Sequence, residues 1–404
     1  MTDIVTERSA LRDALDTYKP ELVEIRRTIH AHPEVGFEET RTAGLVAERL
    51  RAWGLEVSEG LGGTGVVATL TGTSSGNGSI GLRADMDALH IQETPGRLHG
   101  SAIPGKMHAC GHDGHTTMLL GAARYLAEHR DSFAGDVVFI FQPAEEVLTG
   151  ARRMIGEGLF EQHPVDAVYG MHNMPGLPAG EFHIRSGPFL AASDSWAVTF
   201  RGTGGHGGAG AHLAKDPTLS AAHFVLALQT IVSRNVPAIE TAVVSVGSIE
   251  GGDPNSPNII PTEVRLTGTA RSYSASTRDL IERRLGEIAD AQGLTFGCRS
   301  ELDYRRLCPP LVGDADHVAR SVAAASSLVG RGKVKTDPHL LTASEDFSFM
   351  LEARPGSFIL IGNGVNQDGS FAPVHTPEYD FNDDILTLGA AYWVGLVQQE
   401  LRPR

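Results

Sequence analysis

Three strand-length apolar runs that each pass straight into polar residues constrain this chain more than any other feature. Ser79–Arg83 leads into Asp85-Met86-Asp87, Asp136–Phe141 into Gln142-Pro143-Ala144-Glu145-Glu146, and Val165–Met171 into His172-Asn173. Cys110-Gly111-His112-Asp113-Gly114-His115 stands just before a strongly periodic segment, Thr116–His129, that predicts a helix beginning near Thr116. Short apolar runs alternating with helical periodicity read as buried strands of an α/β sheet that is mixed but largely parallel. Sites form at the carboxyl ends of such strands, so residues distant in sequence are expected to converge there.

The rest of the chain extends the pattern. Leu11–His30 and Thr40–Trp53 have helical spacing, the second stopped by Gly54. Gly65–Leu70 reads as a strand and the low-complexity Thr71–Gly78 as a hairpin or loop tip. Near Gly187 the character changes. Ser195–Phe200, Pro217–Ser233, Val243–Ile249, Glu263–Ala270, Thr277–Ala291 and Leu294–Leu302 give strand–helix–strand–strand–helix–strand, a ferredoxin-like order. After Cys308-Pro309-Pro310 come a helix (Asp314–Val329), a strand (Ser357–Ile361) and a closing helix (Asp383–Gln399). The expected architecture is an α/β domain, 1–187 and 305–404, interrupted by a smaller α+β domain, 188–304.

Composition excludes several classes of function. A chain of 404 residues, 41% hydrophobic and 21% charged, reads as a soluble globular protein of two domains. A formal net charge of -15 argues against a nucleic-acid surface. Three cysteines are too few for a disulfide framework, so a reduced chain is expected. Met1–Tyr18 lacks the apolar core of a signal peptide, and no apolar run is long enough to span a bilayer. The expectation is a cytoplasmic protein with no membrane partner.

Cys110 and His112 are two apart, a spacing that in an extended loop lets both side chains face one point. Singly, a cysteine is more often a small buried hydrophobe, and a Glu-Glu pair a solvated helix face. Their joint occurrence at strand ends points instead to a metal centre. Thiolate, imidazole and carboxylate together suit Zn, Mn, Ni or Co better than Ca or Mg. Glu145 and Glu146 are adjacent and so point to different places, one able to bind metal while the other holds and deprotonates water. Two other readings stay open: an amidase using Cys110 as nucleophile, and a non-catalytic metabolite-binding protein on the same scaffold.

Arg83-Ala84-Asp85-Met86-Asp87-Ala88-Leu89, Met107-His108-Ala109-Cys110-Gly111-His112-Asp113-Gly114-His115, Gln142-Pro143-Ala144-Glu145-Glu146 and Gly170-Met171-His172-Asn173 resemble the aminoacylase/carboxypeptidase-type metallohydrolases. The resemblance covers nearly the whole chain. It lies in the amidohydrolase branch, with hippurate hydrolase, N-acyl-amino-acid amidohydrolases and plant auxin-conjugate hydrolases. It implies two divalent ions held by Cys110, His112, Glu146, His172 and the distant His375, with Glu145 as general acid/base and Asp87 as a supporting carboxylate. It implies that the inserted domain is a lid that makes a homodimer or a higher oligomer. His206, in Gly204-Gly205-His206-Gly207-Gly208, would then reach the partner's site and stabilise the oxyanion. Asn258 and Arg271 match the segment that grips the substrate carboxylate. The implied activity is cleavage of N-acyl amino acids through a metal-activated water. The chain departs from the branch at His90, Met174, Ala211 and Thr262, none of them an implied ligand, which leaves the acyl group unspecified.

Overall fold

The computed structural model describes residues 10–403; the leader reading of the first residues therefore lies in part outside the described segment. The chain divides into two units. One contains the residues through Gly187 together with Val312–His339 and Asp346–Arg404; the other contains Pro188–Leu311 and Leu340–Glu345. The return expected at 305 falls at 312, because the last strand of the insertion runs on to Cys308.

The first unit is built on an eight-stranded sheet. Its strands are β1 (Glu56–Leu61), β2 (Gly65–Thr71), β3 (Ser74–Asp85), β4 (Ala134–Gln142), β5 (Ala167–Pro175), β6 (Phe182–Ile184), β7 (Val334–Lys335) and β8 (Gly356–Gly364). Their order is β1-β2-β4-β3-β5-β8-β6-β7. The four central strands β4, β3, β5 and β8 are mutually parallel, while β2 and β6 run antiparallel to their central neighbours. Central strands buried on both faces need no polar alternation, which is why β4 and β5 read as unbroken apolar runs. Thr71–Gly78 is not a hairpin tip: β4 lies between β2 and β3, and Ser74–Gly78 already belongs to β3.

Helices complete the core of this unit. The expected helix Leu11–His30 is two helices with a turn at Thr17-Tyr18, and the second, Lys19–Ala31, carries Pro20 in its first turn. Proline cannot donate to the preceding turn, so the helix restarts there. The helix expected from Thr116 begins at His112 and runs to Glu128. Its N-cap is Gly111, in the left-handed region at φ 100°, so His112 lies in the helix rather than in an extended loop. This helix is buried on nearly every side and packs on the closing helix Leu386–Glu400. A Cβ at Gly389 would sit 2.0 Å from Met118 Sδ, so the glycine sets how closely the two helices approach.

The second unit is a four-stranded antiparallel sheet ordered Ala242–Gly251, Glu263–Ser272, Ala192–Arg201, Arg299–Cys308. Helices Pro217–Thr230 and Ala275–Thr295 connect alternate strands, as the ferredoxin-like order requires. Trp196, Val198, Phe200, Phe224, Leu228, Ile281 and Leu285 form its core. The strand expected at Leu294–Leu302 starts at Arg299, because the helix continues to Thr295 and the chain turns at Gly297, φ 70°. No helix among the described residues is long and apolar enough to cross a membrane.

A side chain at Gly111 meets two obstacles at once: the positive φ, and a Cβ position 2.2 Å from Asn173 Nδ2 and 2.5 Å from the Tyr379 hydroxyl. Gly111→Ala is expected to lower stability by more than about 1 kcal/mol in urea titration, and an unchanged midpoint would contradict this packing.

Candidate metal centre

Register brings the polar residues to one level. Asp85 of β3 pairs with Gln142 of β4, and Arg83 of β3 with Gly170 of β5, so Asp85, Gln142 and His172 emerge side by side. His172 and Asn173 lie within β5 rather than beyond its end. The helix N-terminus supplies Cys110 and His112 from in front of this edge, and the loop after β4 supplies Glu145 and Glu146.

Each imidazole has one nitrogen assigned by its neighbours. His172 Nδ1 donates to the Asn173 carbonyl at 2.5 Å, which leaves Nε2 facing Cys110 Sγ at 3.3 Å. His112 Nδ1 donates to Asp87 Oδ1 at 3.2 Å, while the Glu146 backbone N–H donates to Asp87 Oδ2 at 3.0 Å. Asp87 therefore ties the first turn of the helix to the loop after β4. His115 is fully committed: Nδ1 donates to Asp85 Oδ1 at 2.7 Å, and Nε2 accepts the Asn173 backbone N–H at 2.9 Å.

His112 Nε2 is buried without a hydrogen-bond partner. The oxygens around it, from Asp85, Glu146 and Glu145, stand at 3.8, 3.8 and 4.0 Å. That is too far for hydrogen bonds, but two donors each about 2.1 Å from one ion would be separated by about 3–4 Å. Ligand-type atoms of Cys110, His112 and His172 lie within 4.8 Å of one another, as do those of Cys110, Glu146 and His375, and those of His112, Glu145 and Glu146. Five of the residues singled out in the sequence, with Glu145, thus come together in one unit, and Cys110 belongs to two of these sets. His375 reaches them from a half-exposed loop: its Nε2 is 3.3 Å from Glu146 Oε1. Its backbone adopts φ 64° and its N–H donates to the Ala109 carbonyl at 2.7 Å.

The electrostatics of this edge are dominated by its carboxylates. Burial works against a charged His112, yet Asp85, then Asp87 and Glu146, outweigh it and raise the imidazole to about 10. Burial raises the Cys110 thiol far above its ordinary value, and Glu146, Glu145 and Asp85 push the same way. His172 is shifted down by burial and by His115. A Cys–His nucleophilic pair needs thiolate beside imidazolium, and both shifts oppose that state.

A buried frame stands behind the donors. Arg83 donates to Asp85 Oδ2 at 2.7 Å and to Gln142 Oε1 at 2.8 Å, and Gln142 Nε2 donates to Asp346 Oδ1 at 2.7 Å, all buried. Asp346 also accepts the Ala151 N–H at 3.0 Å. Asp346 lies two residues ahead of a short helix that starts at Ser348. Glu39, buried, accepts the Ala144 N–H at 2.8 Å and the Thr64 hydroxyl at 2.6 Å. Ala144 and Leu148 both have positive φ, 54° and 55°, so the turn carrying the two glutamates is held in a strained form. Arg83, a charge inside an apolar run, is a signal of this frame in the sequence. Nothing local marks Glu39.

In the second unit, His206 and Asn258 lie on neighbouring turns: His206 pairs with Ile259, and the Gly207 N–H donates to the Asn258 carbonyl at 2.7 Å. His206 Nδ1 accepts from the Gly208 and Ala209 amides at 3.0 and 3.1 Å, so its proton is on the outward Nε2. Arg271 lies at the opposite end of strand Glu263–Ser272, about 27 Å along it from Glu263 at ~3.4 Å per residue.

Fold and donor set together define a hydrolase of the metallopeptidase-like class. The family model for peptidase family M20/M25/M40 matches residues 81–399, and the chain belongs to that family. It is 39% identical over 382 residues to a hippurate hydrolase of Campylobacter jejuni, covering 95% of this chain and 97% of the relative. It is 38% identical over 391 residues to IAA-amino acid hydrolase ILR1-like 2 of Arabidopsis thaliana, covering 95% and 86%. A crystal structure of a dinuclear metal-binding peptidase of the M20 family from Bacillus subtilis superposes with TM-score 0.83 at 29% identity, covering 96% of this chain and 100% of that one. The chain is accordingly a hydrolase of amide bonds.

Behind the helix N-terminus, His30 Nδ1 is 2.8 Å from Asp113 Oδ2 and Nε2 is 3.3 Å from Glu93 Oε1. Burial opposes the charged ring, but these two partners outweigh it and raise His30 to about 9. The resulting stability is full below the unfolded value of about 6.5 and is lost as pH rises through about 9, on the order of 3 kcal/mol. Denaturant titrations between those pH values should show this slope in the wild type and not in His30→Gln.

Proposed function

We propose that the chain is a metal-dependent amidohydrolase that cleaves N-acyl amino acids, hippurate-like conjugates among them, into a carboxylic acid and a free amino acid. The observation that carries the reading is the partnerless His112 Nε2, ringed by acidic oxygens with Cys110 and His172 beside it. The family membership, and the names of relatives that hydrolyse hippurate and auxin conjugates, support the substrate class.

Cys110, His112, Glu146, His172 and His375 would hold two divalent ions of the Mn, Zn, Ni or Co kind, with Cys110 common to both donor sets. The Bacillus subtilis neighbour, described as dinuclear, supports the number. Ions bound there supply Lewis acidity to the amide carbonyl and make water nucleophilic at neutral pH. Glu145, buried beside His112 in the strained turn, would take a proton from the attacking water and deliver it to the departing amine. Asp87 orients His112 and the Glu146 backbone.

Asn258, beside His206, and Arg271, near the end of strand Glu263–Ser272, are the residues we assign to the substrate carboxylate. The chain would act as a homodimer in which His206 offers its Nε2–H to the oxyanion of the partner's substrate, a role that fits the ring's Nδ1 being taken up by the Gly208 and Ala209 amides. A cytoplasmic setting keeps Cys110 reduced.

Glu145→Gln is expected to keep its metal content while turnover of benzoyl-, acetyl- and indoleacetyl-amino acids falls by about 10²–10⁴-fold; near-normal turnover would remove Glu145 as the base. Chelation should abolish activity and Mn, Zn, Ni or Co should restore it, while iodoacetamide leaves the loaded enzyme active. Inactivation of the loaded enzyme by the alkylator, with tolerance of the chelator, would reverse the choice between metal and thiol.

A further inference from the structure

Asn173 is a fully buried polar side chain at the donor edge to which the mechanism gives no task. Its amide orientation is determined by its partners. Nδ2 donates to the Cys110 carbonyl at 2.6 Å, and Oδ1 accepts from the Tyr379 hydroxyl at 2.8 Å. A carbonyl only accepts, so the flipped amide would set two oxygens against each other. Nδ2 also stands 3.0 Å from His115 Nε2. The backbone of the same residue is equally engaged: its carbonyl accepts His172 Nδ1–H, and its N–H donates to His115 Nε2.

These contacts join separate segments of the first unit. Cys110 precedes the helix His112–Glu128, His172 is on β5, and Tyr379 follows His375 on the loop after β8. The Tyr379 ring is buried, and its backbone N–H donates to the Thr376 carbonyl at 3.1 Å, so the phenol is tied to the turn that presents His375. His375 itself donates its N–H to Ala109, next to Cys110. Space around the amide is tight, since a Cβ on Gly111 would collide with both Asn173 and Tyr379.

We propose that Asn173 is the positioning residue that fixes Cys110, His172 and His375 relative to one another, with Tyr379 as the arm that reaches the His375 turn. The proposal rests on these three residues being metal ligands. It divides the labour unequally. Asn173 acts on donors of both ion sets through Cys110. Tyr379 acts chiefly on His375, which belongs to the set with Glu146 and not to the set with His112 and His172.

The test is cobalt(II) titration of the metal-free chain, read by the thiolate-to-cobalt charge-transfer band and by the number of ions bound per subunit. Asn173→Asp keeps the shape but turns an oxygen toward the Cys110 carbonyl; it should weaken both ions about 10–100-fold and shift the thiolate band. Tyr379→Phe removes only the hydroxyl; it should leave the first ion at wild-type affinity and weaken the second by a similar factor. A purely structural role would lower the melting temperature of the metal-free chain and leave both isotherms and the band unchanged. That result in either variant overturns the proposal. Should Asn173→Asp fail to fold, Tyr379→Phe alone decides, because a wild-type second isotherm removes the link to His375. A wild-type chain that takes up no cobalt sinks the metal reading itself, and this inference with it.

Discussion

Buried negative charge at the carboxyl edge of the sheet is the constraint on which the rest of the site depends. Asp85, Asp87 and Glu145 are buried at or just beyond the ends of neighbouring strands, with Glu146 nearly so, and Asp346 is buried just ahead of a short helix. Removing carboxylates from water is costly unless each finds a partner. Arg83 compensates Asp85 and Asp346 from behind, and the Asp87 oxygens are taken up by His112 and a backbone amide. What remains faces His112, whose raised basicity is the protein's own answer to the excess. A divalent ion held there, as proposed, would answer the same need more completely and would let the Cys110 thiol ionise despite its acidic neighbours.

The frame that holds these charges is drawn from distant segments. Glu39 grips the turn of Glu145 from a loop ahead of the sheet, and Asp346 grips Gln142 from the far end of the chain. The strain at Ala144 and Leu148 persists because both sides of that turn are tied down. Precision in the pair of glutamates therefore comes from residues with no chemistry of their own.

How much of this was legible in the sequence follows from the physics of each part. β4 and β5 were readable because burial on both faces leaves an apolar run with polar residues at its end. β1 is largely exposed, and β6 and β7 are three and two residues long, so none of them leaves a periodic trace. The helix start was misplaced by one turn because it depends on a left-handed Gly111, a conformation composition does not announce. Cys110, His112, Glu146 and His172 were within reach of strand-end reasoning. His375 was not, since a half-exposed histidine on a long loop looks like any other, and only the resemblance named it. The partnership of Asn258 with His206 was hidden in the pairing of two two-residue strands.

The sheet order has a consequence for how the chain comes together in time. β8, from beyond the insertion, lies between β5 and β6, which precede it. Until β8 is synthesised, the edge of β5 that carries His172 has no neighbour on that side, whereas most of the second unit is one contiguous stretch able to fold earlier. A nascent chain therefore carries an open, apolar strand edge for the whole length of the insertion, and such edges recruit other chains. Slow synthesis or truncation before Gly356 is where aggregation of this protein is to be sought.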